Sequence, residues 1–321
     1  MRASVIIPTY GSRLEYLRDT LVTVQNQDFP LEDYEIIVVD NGPGHGVVKV
    51  VEEVNSAGNK NVICIKETSP GATSARHAGA RIAKGEILSY IDDDVLLPMD
   101  WLRQALEPYR DLKVGCAGGK VVLQFEGTPP DWMEQFGNVC HSALDLGEKT
   151  LELKWPHCVW GANMTVPKRV FFEVGGFSPD IFGDSSLWRL TGDGECGFEK
   201  KIYDAGYKIV YEPKAWLHHR IPASRLTEEY FYHRSYFTGI MASYTVTRDS
   251  RGLSFLPLRL VLRGLSCFIH AAWKHLSSFV KPKWRVRSKA NAMHWVAYGK
   301  HQWMAAFDKK LREYIFQESY L

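Results

Sequence analysis

The sequence has no run of about 18 or more uncharged apolar residues, which argues against a membrane-spanning helix. It also lacks a secretory pattern at its start. Ser4-Val5-Ile6-Ile7-Pro8 is too short for the apolar core of a signal peptide and is expected to be a first strand. The six cysteines, at 64, 116, 140, 158, 196 and 267, show no framework spacing, so reduced thiols in a cytoplasmic protein are expected. Without a Cys-x-x-Cys, only Cys140-His141 and His157-Cys158 offer a weak zinc alternative. Gly-Lys-Ser/Thr is missing, which excludes a P-loop. Gly42-Pro43-Gly44-His45-Gly46 does not match Gly-x-Gly-x-x-Gly and is expected only to shape a loop. Internal repeats and low-complexity tracts are absent.

What is present suits one large α/β domain with an appendage: 321 residues, 45% hydrophobic and 24% charged. The net charge of +2 conceals an asymmetry. Residues 251–321 carry 13 Lys/Arg against 3 Asp/Glu, whereas the first 250 carry 26 against 34. A weakly acidic body with a basic end is not a nucleic-acid binder; it suits an anionic surface at one end. Strands are expected at 4–8, 34–40, 62–65 and 87–91, with helices at 14–24, 47–54 and 72–83 between them. That alternation implies a mostly parallel sheet with right-handed crossovers. Mixed strands and long loops should fill 110–190. A helix is expected at 195–206, then a strand from Lys208 to Tyr211 that ends at Pro213. Beyond about 225 the chain should be helical.

Asp92-Asp93-Asp94 follows the apolar run Ile87–Ile91. Carboxylates at the C-terminal end of such a strand face the crevice where open α/β sheets bind ligands. Crowded acids repel one another unless a cation joins them, and hard oxygen donors suit Mg²⁺ or Mn²⁺. The alternative is an acidic turn capping the next helix. Asp40 ends its strand in the same way, where an acid can accept from a nucleobase or ribose, or can cap a helix.

Four segments in order carry a family resemblance: Val5-Ile6-Ile7-Pro8-Thr9-Tyr10, Ile37-Val38-Val39-Asp40-Asn41-Gly42, Pro70 to Gly79, and Asp92-Asp93-Asp94. They resemble the nucleotide-sugar half of family-2 glycosyltransferases of the GT-A fold. Trp160-Gly161-Ala162-Asn163-Met164, Val174-Gly175-Gly176-Phe177, Gly192-Asp193-Gly194-Glu195 and Gly206 to Pro213 resemble its acceptor half. The likeness covers about residues 4–220 and implies a Rossmann-related mixed sheet flanked by helices. By it, residues 1–225 form the catalytic domain, with halves 1–100 and 101–225, and 226–321 a helical C-terminal region.

The resemblance also implies roles. Pro8, Thr9, Tyr10 and Asp40 would hold the nucleoside, Arg76 the diphosphate, and Asp92 and Asp93 the nucleotide sugar. Asp94 and His219 would ligate the metal, with Mn²⁺ or Mg²⁺ as the cofactor. Asp193 would be the general base of an inverting transfer. Trp160, Gly161, Asn163, Met164, Glu195 and His218 would line the sugar and acceptor pocket. The family's Glu-Asp is Gly192-Asp193 here and its Arg-Asn is Arg76-His77, so one accessory acid is missing. Phe177 to Thr191, with Gly183, Asp184, Ser185, Ser186 and Trp188, is expected to be a lid or a plain surface loop.

The expected activity is transfer from a nucleoside-diphosphate sugar, a UDP-sugar first, to a glycan or lipid-linked acceptor in polysaccharide or glycolipid synthesis. Two alternatives are a sugar-nucleotide nucleotidyltransferase and an inactive scaffold. Thr9-Tyr10-Gly11-Ser12-Arg13 is too poor in glycine for the first, and the retained acids disfavour the second. In the tail, Arg259, Arg263, His270, Lys274 and Lys281 form a narrow basic stripe beside a wide apolar face. Residues 253–289 could lie on an anionic membrane surface, making the enzyme peripheral on the cytoplasmic face. Otherwise the apolar face packs on the catalytic domain or on a second copy in a homodimer.

Overall fold

A computed structural model of the protein describes residues 1–44, 46–57, 62–137, 141–179, 192–280 and 282–321. Nearly all of the lid segment, 180–191, and Cys140 therefore lie outside the described residues.

The first half alternates as its apolar pattern predicts. Strands β1 (Ala3–Thr9), β2 (Tyr34–Asp40), β3 (Val62–Lys66) and β4 (Ile87–Ile91) alternate with helices α1 (Leu14–Gln25), α2 (Gly46–Ser56) and α3 (Ala72–Ile82). The four strands are parallel, with β1 paired to both β2 and β4. All seven residues of β1 and of β2 are buried, as in strands covered by helices on both faces. Helix α1 seals one face with Leu17, Leu21 and Val24, three or four residues apart. Every parallel strand ends at the same edge of the sheet, and there Thr9, Asp40 and the acids after β4 meet.

The second half completes a mixed sheet. After β5 (Val95–Leu96) and α4 (Trp101–Leu106) come β6 (Val114–Phe125), β7 (Leu151–Leu153), β8 (Asn163–Pro167), α5 (Lys168–Glu173), α6 (Gly194–Asp204) and β9 (Lys208–Ile221). The order is β3-β2-β1-β4-β8-β6-β9-β5, with β7 also on β9. Strand β8 runs antiparallel to both β4 and β6.

One expectation fails. The strand predicted to stop at Pro213 continues to Ile221. Its register against β6 slips between Gly119 and Val121, whose partners are Glu212 and Leu217. Pro213 sits in that slipped stretch, where its missing N–H interrupts no ladder. The extension carries His218 and His219 back to the site, opposite Leu96 and Val95 of β5.

The C-terminal region is helical: α7 (Glu228–Asp249), α8 (Leu256–Val280), α9 (Arg285–Phe307) and α10 (Lys309–Ile315). Helix α8 packs on α9 through small residues. A Cβ at Gly264 would lie 2.3 Å from Trp303 and 3.1 Å from the Gly299 carbonyl, so only glycine allows this approach. Leu260, Gly264, Cys267, Ala271 and Ser278 are the buried face. The large apolar residues Leu258, Leu262, Leu265, Ile269, Trp273 and Leu276 point outward. The basic-and-apolar helix of the sequence thus packs on the protein by its small residues, and the described residues leave its large apolar residues uncovered.

Candidate functional site

The site lies at the carboxyl edge of β1, β2 and β4. Donor atoms of Asp92, Asp94 and His219 come within 4.8 Å of one another. Asp94 is 2% exposed and His219 4%, so both are withdrawn from bulk water. Asp94 Oδ1 is buried 3.1 Å from His219 Nε2 and has no other polar partner among the described residues. His219 Nδ1 faces the His141 carbonyl at 3.0 Å. A carbonyl only accepts, so Nδ1 carries the proton and Nε2 is turned toward the acids. Two carboxylates with one oriented imidazole are a donor set that fits Mn²⁺ or Mg²⁺.

Two cations missed by the sequence reading flank this cluster. Arg13 and Arg225 approach Asp94 Oδ2 at 3.2 and 3.3 Å. Burial pushes the Asp94 carboxyl up, but His219, Arg225 and Arg13 together hold it below the usual range. Asp93 is compensated less, by Arg13 more weakly and by Thr9. Partial burial and then the Asp94 charge push it up to about 7, although its hydrogen bond from Thr9 opposes the shift. Arg13 was visible in principle, standing four residues beyond the end of β1. Nothing local marks Arg225, which reaches the site because β9 is longer than its sequence suggests.

Across the cleft, Arg76 joins the halves of the site. Its Nη2 is 3.2 Å from Asp92 and its Nη1 2.8 Å from Glu195. Gly161 lies against both partners: a Cβ there would be 2.4 Å from Glu195 Oε1 and 2.6 Å from Arg76. Burial raises the Glu195 pKa, but Arg76 outweighs it and keeps the carboxylate ionised below its ordinary value.

The remaining expected site residues divide. Tyr10 is exposed at the end of β1, and its carbonyl lies so close to Gly42 that a Cβ there would stand 1.8 Å away. Pro8 is buried within β1, opposite Val39. Asp40 is committed to Lys66 Nζ at 2.9 Å and the Gly42 N–H at 3.0 Å. Trp160 is half-buried and donates to the Ala143 carbonyl.

Asn163 and Met164 require a correction, because the structure does not place them in a pocket. Met164 is fully buried in β8. Asn163 accepts from Trp101 Nε1 at 3.0 Å and donates to the Ala215 carbonyl at 2.7 Å, tying β8 to α4 and β9. His218 is separated from His219 by strand alternation and packs edge-on against Trp216. Asp193 is 2% exposed, and its carboxylate meets Thr245 and Arg248 of α7.

The model of glycosyl transferase family 2 matches residues 4–169. The chain belongs to that family. Glycosyltransferase AglE of Haloferax volcanii is 27% identical over 210 residues, 65% of this chain and 63% of that protein. The chain thus spans somewhat less than two thirds of this relative's length. The glucosyl-dolichyl phosphate glucuronosyltransferase of the same organism is 25% identical over 246 residues, covering 74% of this chain and 75% of the relative. Among solved structures, the mannosyltransferase PcManGT from Pyrobaculum calidifontis, in complex with GDP-Man and Mn²⁺, superposes with a TM-score of 0.62. It is 21% identical, covering 94% of this chain and 87% of its own. GalNAc-T7 with UDP, GalNAc and Mn²⁺ gives 0.53 at 18% identity, over 75% and 51%. The family-2 chain therefore has a GT-A fold, a mixed sheet flanked by helices, followed by a helical C-terminal region.

Proposed function

We propose that this family-2 protein is a metal-dependent inverting glycosyltransferase that moves a sugar from a nucleoside diphosphate to an acceptor hydroxyl. The observation that carries this reading is the meeting of Asp92, Asp94 and His219 with the Arg76–Glu195 pair at one sheet edge. Asp92, Asp94 and His219 would hold a divalent cation, and when bound it would neutralise charge growing on the departing diphosphate. Arg13 and Arg225 supply positive charge on the same side. Tyr10 and Asp40 stand at the strand ends where the nucleoside would lie, with a UDP-sugar as the first choice of donor.

The proton belongs to Glu195 in this reading, rather than to Asp193. Arg76 fixes Glu195 Oε1 and keeps the group ionised, while Arg248 and Thr245 occupy the Asp193 carboxylate. As the acceptor oxygen bonds to the anomeric carbon, its proton passes to Glu195 and the bond to the diphosphate oxygen breaks. Attack from the side opposite the leaving group inverts that carbon. A positioned base of this kind contributes about 10² to 10⁴-fold.

A lipid-linked acceptor suits the tail. Among the described residues no helix is long and apolar enough to cross a membrane. Even so, α8 presents Leu262, Ile269, Trp273, Leu276 and Phe279 to the outside, each more than half exposed, with Arg259 and His270 exposed beside them. Such a face would lie in an anionic membrane interface, cations outward, as interfacial helices do. The relative named for glucosyl-dolichyl phosphate supports an acceptor presented at a membrane. A screen of UDP- and GDP-sugars for Mn²⁺-dependent nucleotide release tests the reaction. Release by one donor, abolished by EDTA, is expected; a protein inert to all of them with or without Mn²⁺ would contradict the proposal.

A further inference from the structure

Asp193 occupies the N-cap position of α6, where an aspartate ordinarily accepts a hydrogen bond from the first turn of its own helix. Here the side chain makes no such bond. Its Oδ2 instead takes Arg248 Nη1 at 2.5 Å and Thr245 Oγ1 at 2.9 Å, both from α7. The other oxygen, Oδ1, is buried and packs where a Cβ on Gly197 would lie 1.9 Å away. Between the two acids stands Gly194, with φ of 47°. That left-handed residue lets Asp193 turn to α7 while Glu195, one position on, turns to Arg76. A carboxylate diverted from its own helix to another element fixes the two elements to each other.

We infer that the Asp193–Arg248–Thr245 contact is a strut by which the C-terminal helices position Glu195, so that Asp193 is a positioning residue. The inference rests on the reading of Glu195 as the base. Arg248 lies near the end of α7, and α7 packs along α9 through Gly239, whose Cβ would meet the His294 carbonyl at 2.2 Å. The first turn of the catalytic helix is therefore braced by the tail, and the donor half, residues 1–100, contributes nothing to that brace among the described contacts.

The test compares Arg248→Met, Arg248→Lys and the double variant Asp193→Asn/Arg248→Met in the full chain. Nucleotide release is followed from the best donor of a UDP- and GDP-sugar panel, with water as acceptor, together with hydrogen exchange of residues 194–198. Arg248→Met should lower kcat roughly 10²-fold, the scale expected when a reacting group is misplaced by about an ångström. The KM for donor and the affinity for UDP with Mn²⁺ should not change, and exchange in the first turn of α6 should rise. Arg248→Lys should recover most of the rate. The double variant removes both charges of the Asp193–Arg248 pair, so it should regain thermal stability relative to Arg248→Met but neither the rate nor the exchange protection. It also carries the test if Arg248→Met does not fold. Recovery of stability, rate and protection together would overturn the strut, as would unchanged exchange in Arg248→Met. Glu195→Gln separates the two ideas. If it transfers like wild type, the base assignment fails whatever the exchange data show; if it is inactive while the double variant is fully active, only the strut fails.

Discussion

Asp94 is contacted by His219, Arg13 and Arg225 at once, so its replacement separates metal-dependent from metal-independent binding. In Asp94→Ala the two arginines remain to attract a diphosphate, but the oxygen cage is incomplete. Calorimetry with UDP should show tighter binding in Mn²⁺ for the wild type, and the same weak affinity with and without Mn²⁺ for the variant. Glu195→Gln should leave UDP affinity intact and lower transfer by about 10²-fold or more, since the amide cannot take the proton. At this scale the sequence was informative where chemistry is local. That the acids after β4 and Asp40 stand at strand ends was legible, because the apolar runs before them mark where each strand stops. Asn163 was misjudged because a buried hydrogen-bonding asparagine and a pocket asparagine look alike without their neighbours. The sequence reading named Asp193 as the base and Glu195 as a pocket residue; it could not show that Gly194 turns the two acids in different directions.

Among the elements, α7 and α9 share a buried polar cluster that makes the tail sensitive to acid. His301 is fully buried with Ser243 Oγ at 2.7 Å, and Gln302 donates to Thr247 Oγ1 at 2.9 Å. Burial pushes the His301 pKa down from 6.5 to about 4. The unfolded chain therefore takes up this proton before the folded one as pH falls. The stability it contributes is complete above pH 6.5 and is lost between 6.5 and about 4. Melting temperature should fall across that interval, and His301→Gln should flatten part of the fall; His77, pushed down to about 4 by burial, supplies a further share. The outward face of α8 yields a second test. Ile269→Glu with Trp273→Glu changes only exposed positions, 71% and 61% accessible, so the melting temperature should hold. Flotation with anionic vesicles should nevertheless be lost. Helix and strand positions in the first half were legible because period and burial agree there. The long β9 was not, because a proline tolerated in a bulge reads as a stop.

For the whole molecule, the acidic body and basic tail would orient the protein toward the anionic surface proposed above. Vesicle binding should weaken as salt rises from about 50 to 500 mM, since surface charge is screened within about a Debye length. The sequence displayed both faces of α8 but could not say which one packs. That choice depends on glycine contacts with α9, a partner about 35 residues away along the chain. In the proposed reading the donor lies at the ends of β1, β2 and β4, the cation between the acids after β4 and His219 of β9, the base on α6, and the membrane contact on the tail. Whether Asp92, Asp94 and His219 hold the cation on which donor binding depends is decided by titrating UDP into the EDTA-treated full chain and repeating the titration after Mn²⁺ is restored, for wild type and for His219→Ala. Mn²⁺ is expected to restore tight binding in the wild type and not in the variant. Equal affinity with and without Mn²⁺ in the wild type, or full restoration in His219→Ala, would contradict that expectation.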